Sequence, residues 1–169
     1  ILADRLELYR GSKKDLKRFT RLLTMSGKWE PQALADSLDK YIDLDGYLNY
    51  MAAQIILGNS DWPDQNGKWW RYDGQADTAR KGLDGRWYWI MGDSDLGFGI
   101  ATGPEYDMFA HVQARHSPLA LLFNNCMRSA PLRSRFRGIV LAQLDGPLSA
   151  DRMVRMAEQQ RERVLLEMP

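Results

Sequence analysis

Asp61 stands five residues before Asn66, and Asp93 and Asp95 stand two apart further along the chain. These residue types, so spaced, suit phosphoryl transfer. That chemistry needs a group to orient the attacking hydroxyl and hard oxygen ligands to hold metal against phosphates. Mg²⁺ usually takes only one or two carboxylates, beside phosphate oxygens and water. Asp61 is therefore the candidate to accept or orient a substrate hydroxyl, and Asn66 the candidate amide ligand to metal. Asp93 and Asp95 are the candidate metal carboxylates. Residues two apart on an extended segment face opposite ways. One of that pair is thus expected at the metal, and the other is left to orient it, bind a second ion or hydrogen-bond backbone.

The elements that must position these groups can be read from periodicity. After Asp43, the residues Leu44, Tyr47, Leu48, Met51, Ile55 and Ile56 recur at helical spacing. Asp43 is expected to accept from the first-turn amides, and Gly58-Asn59 to allow a left-handed exit. The chain then enters the loop of residues 60–67. Two aromatic, β-branched runs follow, 68–72 and 86–91, joined by a polar loop over 74–85, which predicts a hairpin with a long tip. Such a hairpin returns the chain so that Asp93 and Asp95 lie beside Asn66. Upstream, residues 15–25 predict a helix ended by Ser26-Gly27, and Pro31 opens a second running towards Lys40. Downstream, a loop over 100–117 precedes a helix begun at Ser117-Pro118, a break at Ala130-Pro131, a helix over 132–144 and a third capped by Ser149; Ser117, Ser129 and Ser149 read as helix starts or solvent residues. The last is expected to turn Met153, Met156 and Val164 inward.

Simpler readings stand beside the chemical ones. Asp-Trp-Pro and Asn-Gly are good turn formers, so spacing alone leaves Asp61 and Asn66 open between a turn and a site. An EF-hand beginning at Asp93 would need Glu where the chain has Pro104, so that reading fails. Alternation puts Trp87 and Trp89 on one hairpin face, the expected core side. His111 and His116 read as surface residues, Asp64 as a solvated turn residue, and Cys126 as a small buried hydrophobe.

The 169 residues suffice for one domain, 1–169, with a sizeable core. Hydrophobic residues at 44% and charged residues at 27% match a folded domain. A net charge of +1 argues against nucleic acid as a partner. A single cysteine excludes an intrachain disulfide and a cysteine-rich metal site. No apolar run of about 18 residues exists to span a membrane. The opening Ile1-Leu2-Ala3-Asp4 has neither initiator Met nor signal peptide and reads as a segment of a longer protein.

Taken together, several stretches resemble the CotH kinase family, named for spore-coat protein H. They are Asp43-Leu44-Asp45-Gly46-Tyr47-Leu48-Asn49-Tyr50, Gly58-Asn59-Ser60-Asp61-Trp62-Pro63, Asn66, Trp69-Trp70-Arg71 and Trp87-Tyr88-Trp89-Ile90. Asp93-Ser94-Asp95-Leu96-Gly97-Phe98-Gly99, Phe136-Arg137, Leu148-Ser149-Ala150-Asp151-Arg152 and Glu167-Met168-Pro169 complete the set. The resemblance runs from about Asp39 to the end. It implies an α+β, mainly α-helical fold like a kinase C-lobe, with the hairpin between catalytic loop and Asp-x-Asp motif. It further implies an ATP and Mg²⁺ requirement and phosphorylation of Ser or Thr hydroxyls on a protein substrate. It suggests a coat or surface protein as substrate and a secreted, cell-surface or spore-coat location. Asp61 would be catalytic, Asn66, Asp93 and Asp95 would hold metal, and Asn59 and Trp62 would adjoin nucleotide or substrate.

The chain departs from the family pattern at Ser94 and Gly92, where bulkier residues are usual. It also shows no Gly-rich phosphate loop or strand-borne lysine ahead of Asp61. An amino-terminal nucleotide lobe is accordingly expected to be missing, and the isolated segment to be inactive. Two rival readings are an inactive CotH-like surface or coat binding module and a structural coat protein that binds a divalent ion.

Overall fold

A computed structural model describes residues 6–167, so residues 1–5, with the opening Ile1-Leu2-Ala3-Asp4, and the closing Met168-Pro169 lie outside the described residues. The elements are α1 (Lys13–Ser26), α2 (Leu34–Asp39), α3 (Leu44–Leu57), β1 (Lys68–Arg71), β2 (Trp87–Ile90), α4 (Met108–Gln113), α5 (Pro118–Cys126), α6 (Ala130–Asp145) and α7 (Ala150–Leu165). This is the α+β, mainly helical architecture that the sequence predicts.

Helix α3 is the axis of the molecule. Leu44, Tyr47, Leu48 and Met51 are wholly buried, as their spacing requires. Tyr50, Ala52 and Gln54 are buried as well, so the helix is covered on more than one face and not only along a stripe. It packs against α6, β2, α2 and α4. Each large side chain so buried contributes roughly 1.5–3 kcal/mol. Tyr47 donates its hydroxyl to the Leu119 carbonyl at 2.9 Å, which ties α3 to α5 without leaving a buried donor unpaired. Gln143 on α6 donates to the Asn49 carbonyl at 3.0 Å.

The hairpin is antiparallel, with Lys68 opposite Ile90 and Arg71 opposite Trp87. Its inner face packs Trp69, tilted, and Trp87, edge-on, against Phe19 of α1, and Trp89, tilted, against Tyr47 of α3. Trp70 and Tyr88 stack on the other face, at 5.2 Å between ring centres. Trp87 and Trp89 thus share the face packed against the core, as expected, but both are only half-buried, whereas Tyr88 on the other face is buried. The start of β2 is pinned by the backbone bonds Trp87 N–H to Tyr41 O and Asp43 N–H to Trp87 O, both 2.9 Å.

Several local expectations need correction. Asp43 does not cap α3 with its side chain; its carboxylate accepts instead from Lys81 at 2.9 Å, a lysine the long hairpin tip brings over. The Pro31 segment is a turn, and helix begins only at Leu34. The loop over 100–117 contains α4, capped by Asp107, whose carboxylate accepts from Ala110 N–H at 2.9 Å. Six residues are too few for a clear helical period to register in the sequence. Helix α7 buries none of its residues: Met156 is 52% and Val164 53% exposed. Met153 is only partly covered, so the face that its pattern marks as apolar stays largely exposed among the described residues. Ser117, Ser129 and Ser149 do stand at helix N-caps as predicted. Cys126 is fully buried, and burial pushes its thiol up to about 12.

Candidate active site

The site forms where the end of α3 meets the end of β2. Gly58 leaves α3 at φ 67°, a left-handed conformation that glycine adopts at little cost. The following loop is laced to the Asp-x-Asp loop by hydrogen bonds. Asn59 Nδ2 donates to the Asp93 carbonyl at 3.0 Å, and Phe98 N–H to the Leu57 carbonyl at 2.6 Å. The Ser60 hydroxyl and its N–H both reach the Leu96 carbonyl, at 3.3 and 3.4 Å. A Cβ on Gly97 would stand 3.0 Å from the carbonyl oxygens of both Leu57 and Ser94, which keeps that position small. Register completes the arrangement: Asn66 precedes Lys68 by two residues, and Asp93 follows its partner Ile90 by three.

Asp61 and Asn66 meet directly. Asn66, at φ 57°, donates from Nδ2 to Asp61 Oδ2 at 2.7 Å. The amide nitrogen is thereby committed to the carboxylate, and the amide oxygen keeps its lone pairs. Asp61 Oδ1 is buried and has no donor among the described residues. A carboxylate oxygen so placed carries a desolvation cost of about 1–3 kcal/mol or more.

Asp93 and Asp95 also come together, contrary to the alternation expected of an extended segment. Asp93 takes φ 47°, the strand pattern ends at Ile90, and both carboxyls turn to one side. The Asp95 carboxyl, within hydrogen-bonding reach, pushes the Asp93 carboxyl above the usual carboxylate range. The charge of Asp61 adds to this, and Lys68 opposes it. All four predicted acid and amide groups, Asp61, Asn66, Asp93 and Asp95, therefore occupy one locality.

These groups fit a Mg²⁺ ion. Two crowded carboxylates gain from a divalent cation, and an uncommitted amide oxygen lies nearby. Among the described residues, no three acidic, His or Cys side chains gather into a metal cluster.

Asn59 and Trp62, expected beside nucleotide or substrate, are both fully buried. Asn59 donates from Nδ2 to Gln54 Oε1, at 2.9 Å, and to Asp93 O, so it ties the end of α3 to the loop that carries Asp93. Trp62 donates its indole N–H to the Tyr50 hydroxyl at 2.8 Å, with the two rings edge to face. The tyrosine partner, about two turns before the end of α3, accounts for that burial.

His111, read from sequence as a surface residue, is 7% exposed and braces the loop that carries Asp61. A carbonyl can only accept, so Nε2 carries the proton and donates to Trp62 O at 2.9 Å. Nδ1 then accepts from the Tyr106 hydroxyl at 2.7 Å. The spacing Met108, His111, Val112 held the signal, since all three share the buried side of α4. Asp64 is exposed, as expected, and pairs with Arg115 at 3.3 Å.

No curated protein and no solved structure matches the chain. The family model described as CotH kinase protein matches residues 3–168, nearly the whole length. The chain belongs to the CotH kinase family.

Proposed function

We propose that this protein transfers the γ-phosphoryl group of ATP to a Ser or Thr hydroxyl of a protein substrate, with Mg²⁺. The observation that carries the reading is the Asp61–Asn66 bond beside the paired carboxyls of Asp93 and Asp95. Kinase-like family membership supports it.

Each group has a job in that reaction. Asn66 fixes Asp61 through Oδ2 and thereby sets the carboxylate's orientation. Asp61 orients the acceptor hydroxyl and takes its proton at Oδ1, the oxygen left without a donor, as the hydroxyl oxygen bonds to phosphorus and ADP leaves. Since Oδ1 is buried, the hydroxyl must displace the atoms that cover it. Asp93, Asp95 and the Asn66 amide oxygen would hold Mg²⁺. When bound, the ion offsets charge on the phosphates. His111 and Asn59 touch neither substrate nor ion; they hold the two loops in register.

The test is phosphate incorporation by the full-length protein supplied with ATP and a protein substrate. The expected result is Mg²⁺-dependent phosphoserine or phosphothreonine, with Asp93→Asn and Asp95→Asn each raising the Mg²⁺ concentration required. Nucleotide binding without any incorporation would overturn the reading in favour of an inactive binding module.

A further inference from the structure

At the far end of the hairpin from the carboxylates, a cavity of about 450 Å³ opens between α1, the turn after α2 and the strand ends. Four cations line it: Arg18 and Arg21 from α1, Lys40 after α2, and Arg71 at the end of β1. Tyr41 and Trp87 supply aromatic wall. The cavity is separate from the catalytic loop, because Arg71 pairs with Trp87 whereas Lys68 pairs with Ile90 beside the site. Roughly 10 Å of strand lies between the two ends.

One carboxylate answers these four charges. Asp15 accepts from Arg18 at 3.2 Å and from Arg71 at 3.1 Å. Four cations against one carboxylate leave three positive charges in excess. Among the described residues, neither Arg21 nor Lys40 forms an ion pair. Arg71 also keeps a buried Nε without an acceptor. Like charges gathered in a concave, partly apolar site raise the local potential and favour an anion there.

The residue types narrow the anion. Guanidinium forks match the oxygens of a phosphate group, and lysine adds a point charge. The aromatic wall suits an organic ester better than a bare ion, and the volume lies within the range of ligand sites. We propose that this cavity docks a phosphomonoester carried on a polypeptide, a phosphorylated serine or threonine, as distinct from free phosphate or nucleotide. The proposal rests on the kinase reading only for the source of the phosphorylated chain. A chain held here remains tethered to the enzyme while its other hydroxyls reach the catalytic loop.

The experiment is a binding titration of the full-length protein, without ATP or metal, at about 0.15 M salt. The probe is a capped phosphoserine peptide flanked by glycines, compared with its unphosphorylated twin, inorganic phosphate and ATP. The phosphopeptide should bind at least about 10-fold more tightly than its twin or inorganic phosphate, and ATP should not displace it. Arg21→Glu and Lys40→Glu, both at exposed positions, should each weaken it by about 10-fold while transfer to an unphosphorylated substrate is unchanged. Thermal melting of both variants, expected to match the parent, separates lost binding from lost folding. Equal affinity for the twin, equally tight inorganic phosphate, displacement by ATP, or unaltered binding by the two folded variants would each overturn the proposal. Asp61→Asn should bind the phosphopeptide as the parent does, so a failed kinase reading and a failed docking site give different results.

Discussion

Asp93 and Asp95 share a space that suits one negative charge better than two. Asp95 is the main cause of the raised Asp93 pKa, so replacing its carboxyl removes most of the effect. In Asp95→Asn, carboxyl NMR titration should show Asp93 returning towards the ordinary value of 3.8. An Asp93 titration that stays raised in that variant would mean that something other than Asp95 crowds it. The sign for stability follows. A folded pKa above the unfolded one stabilises fully below pH 3.8 and loses that contribution as pH rises through the folded value. At neutral pH the pair therefore strains its loop, and Mg²⁺ should relieve that strain. Thermal melting at pH 7 should rise with added Mg²⁺ in the parent and much less in Asp95→Asn. Equal rises in both would separate the ion from these carboxylates.

At the scale of elements, the site depends on how closely two loops and a hairpin are held. Gly97 is the tightest point, and a methyl group there meets two carbonyl oxygens at 3.0 Å. Gly97→Ala should cost about 1–3 kcal/mol, seen as a fall in Tm of several degrees, and should weaken Mg²⁺ binding as well. Undiminished Mg²⁺ binding would show that the carboxylates tolerate a shifted loop.

The hairpin's other end is fixed by Asp15 and Arg71. Burial alone would raise the Asp15 pKa, but hydrogen bonds from Ser12 and Arg71 outweigh it and hold the value at about 2. That contribution is full above pH 3.8 and drains away as pH falls towards 2. Asp15→Asn should lower stability by about 1–2 kcal/mol at pH 7, with the difference from the parent vanishing near pH 2. A difference that persists at that pH would assign the loss to packing.

Hairpin, α3 and the acid spacing were legible because periodicity and chemistry there are local. The burial of Trp62 and His111 was not, since each depends on a partner from another element, Tyr50 in one case and the Trp62 carbonyl in the other. The shared side of Asp93 and Asp95 was hidden too, because one left-handed residue broke an alternation that the sequence implied.

For the whole molecule, cohesion comes from the centre outward. The buried cluster joins α1, α2, α3, α4, α5 and the first half of α6, with the hairpin tryptophans packed against it. Helix α7 contributes no buried residue. Deleting residues 150–165 should therefore lower Tm by no more than about 3 °C. A larger fall would mean that α7 packs more closely than its exposure indicates. Its apolar residues gave the sequence reading an inward face, yet a pattern records only which side is apolar and not whether anything covers it.

The central claim is that Asp61, braced by Asn66 and facing the Asp93–Asp95 pair, performs phosphoryl transfer. Single-turnover transfer from Mg²⁺-ATP by full-length Asp61→Asn, with nucleotide affinity measured on the same sample, isolates that role. The rate should fall by about 10²–10⁴-fold with nucleotide affinity nearly unchanged. Transfer at the parent rate with nucleotide bound would contradict it.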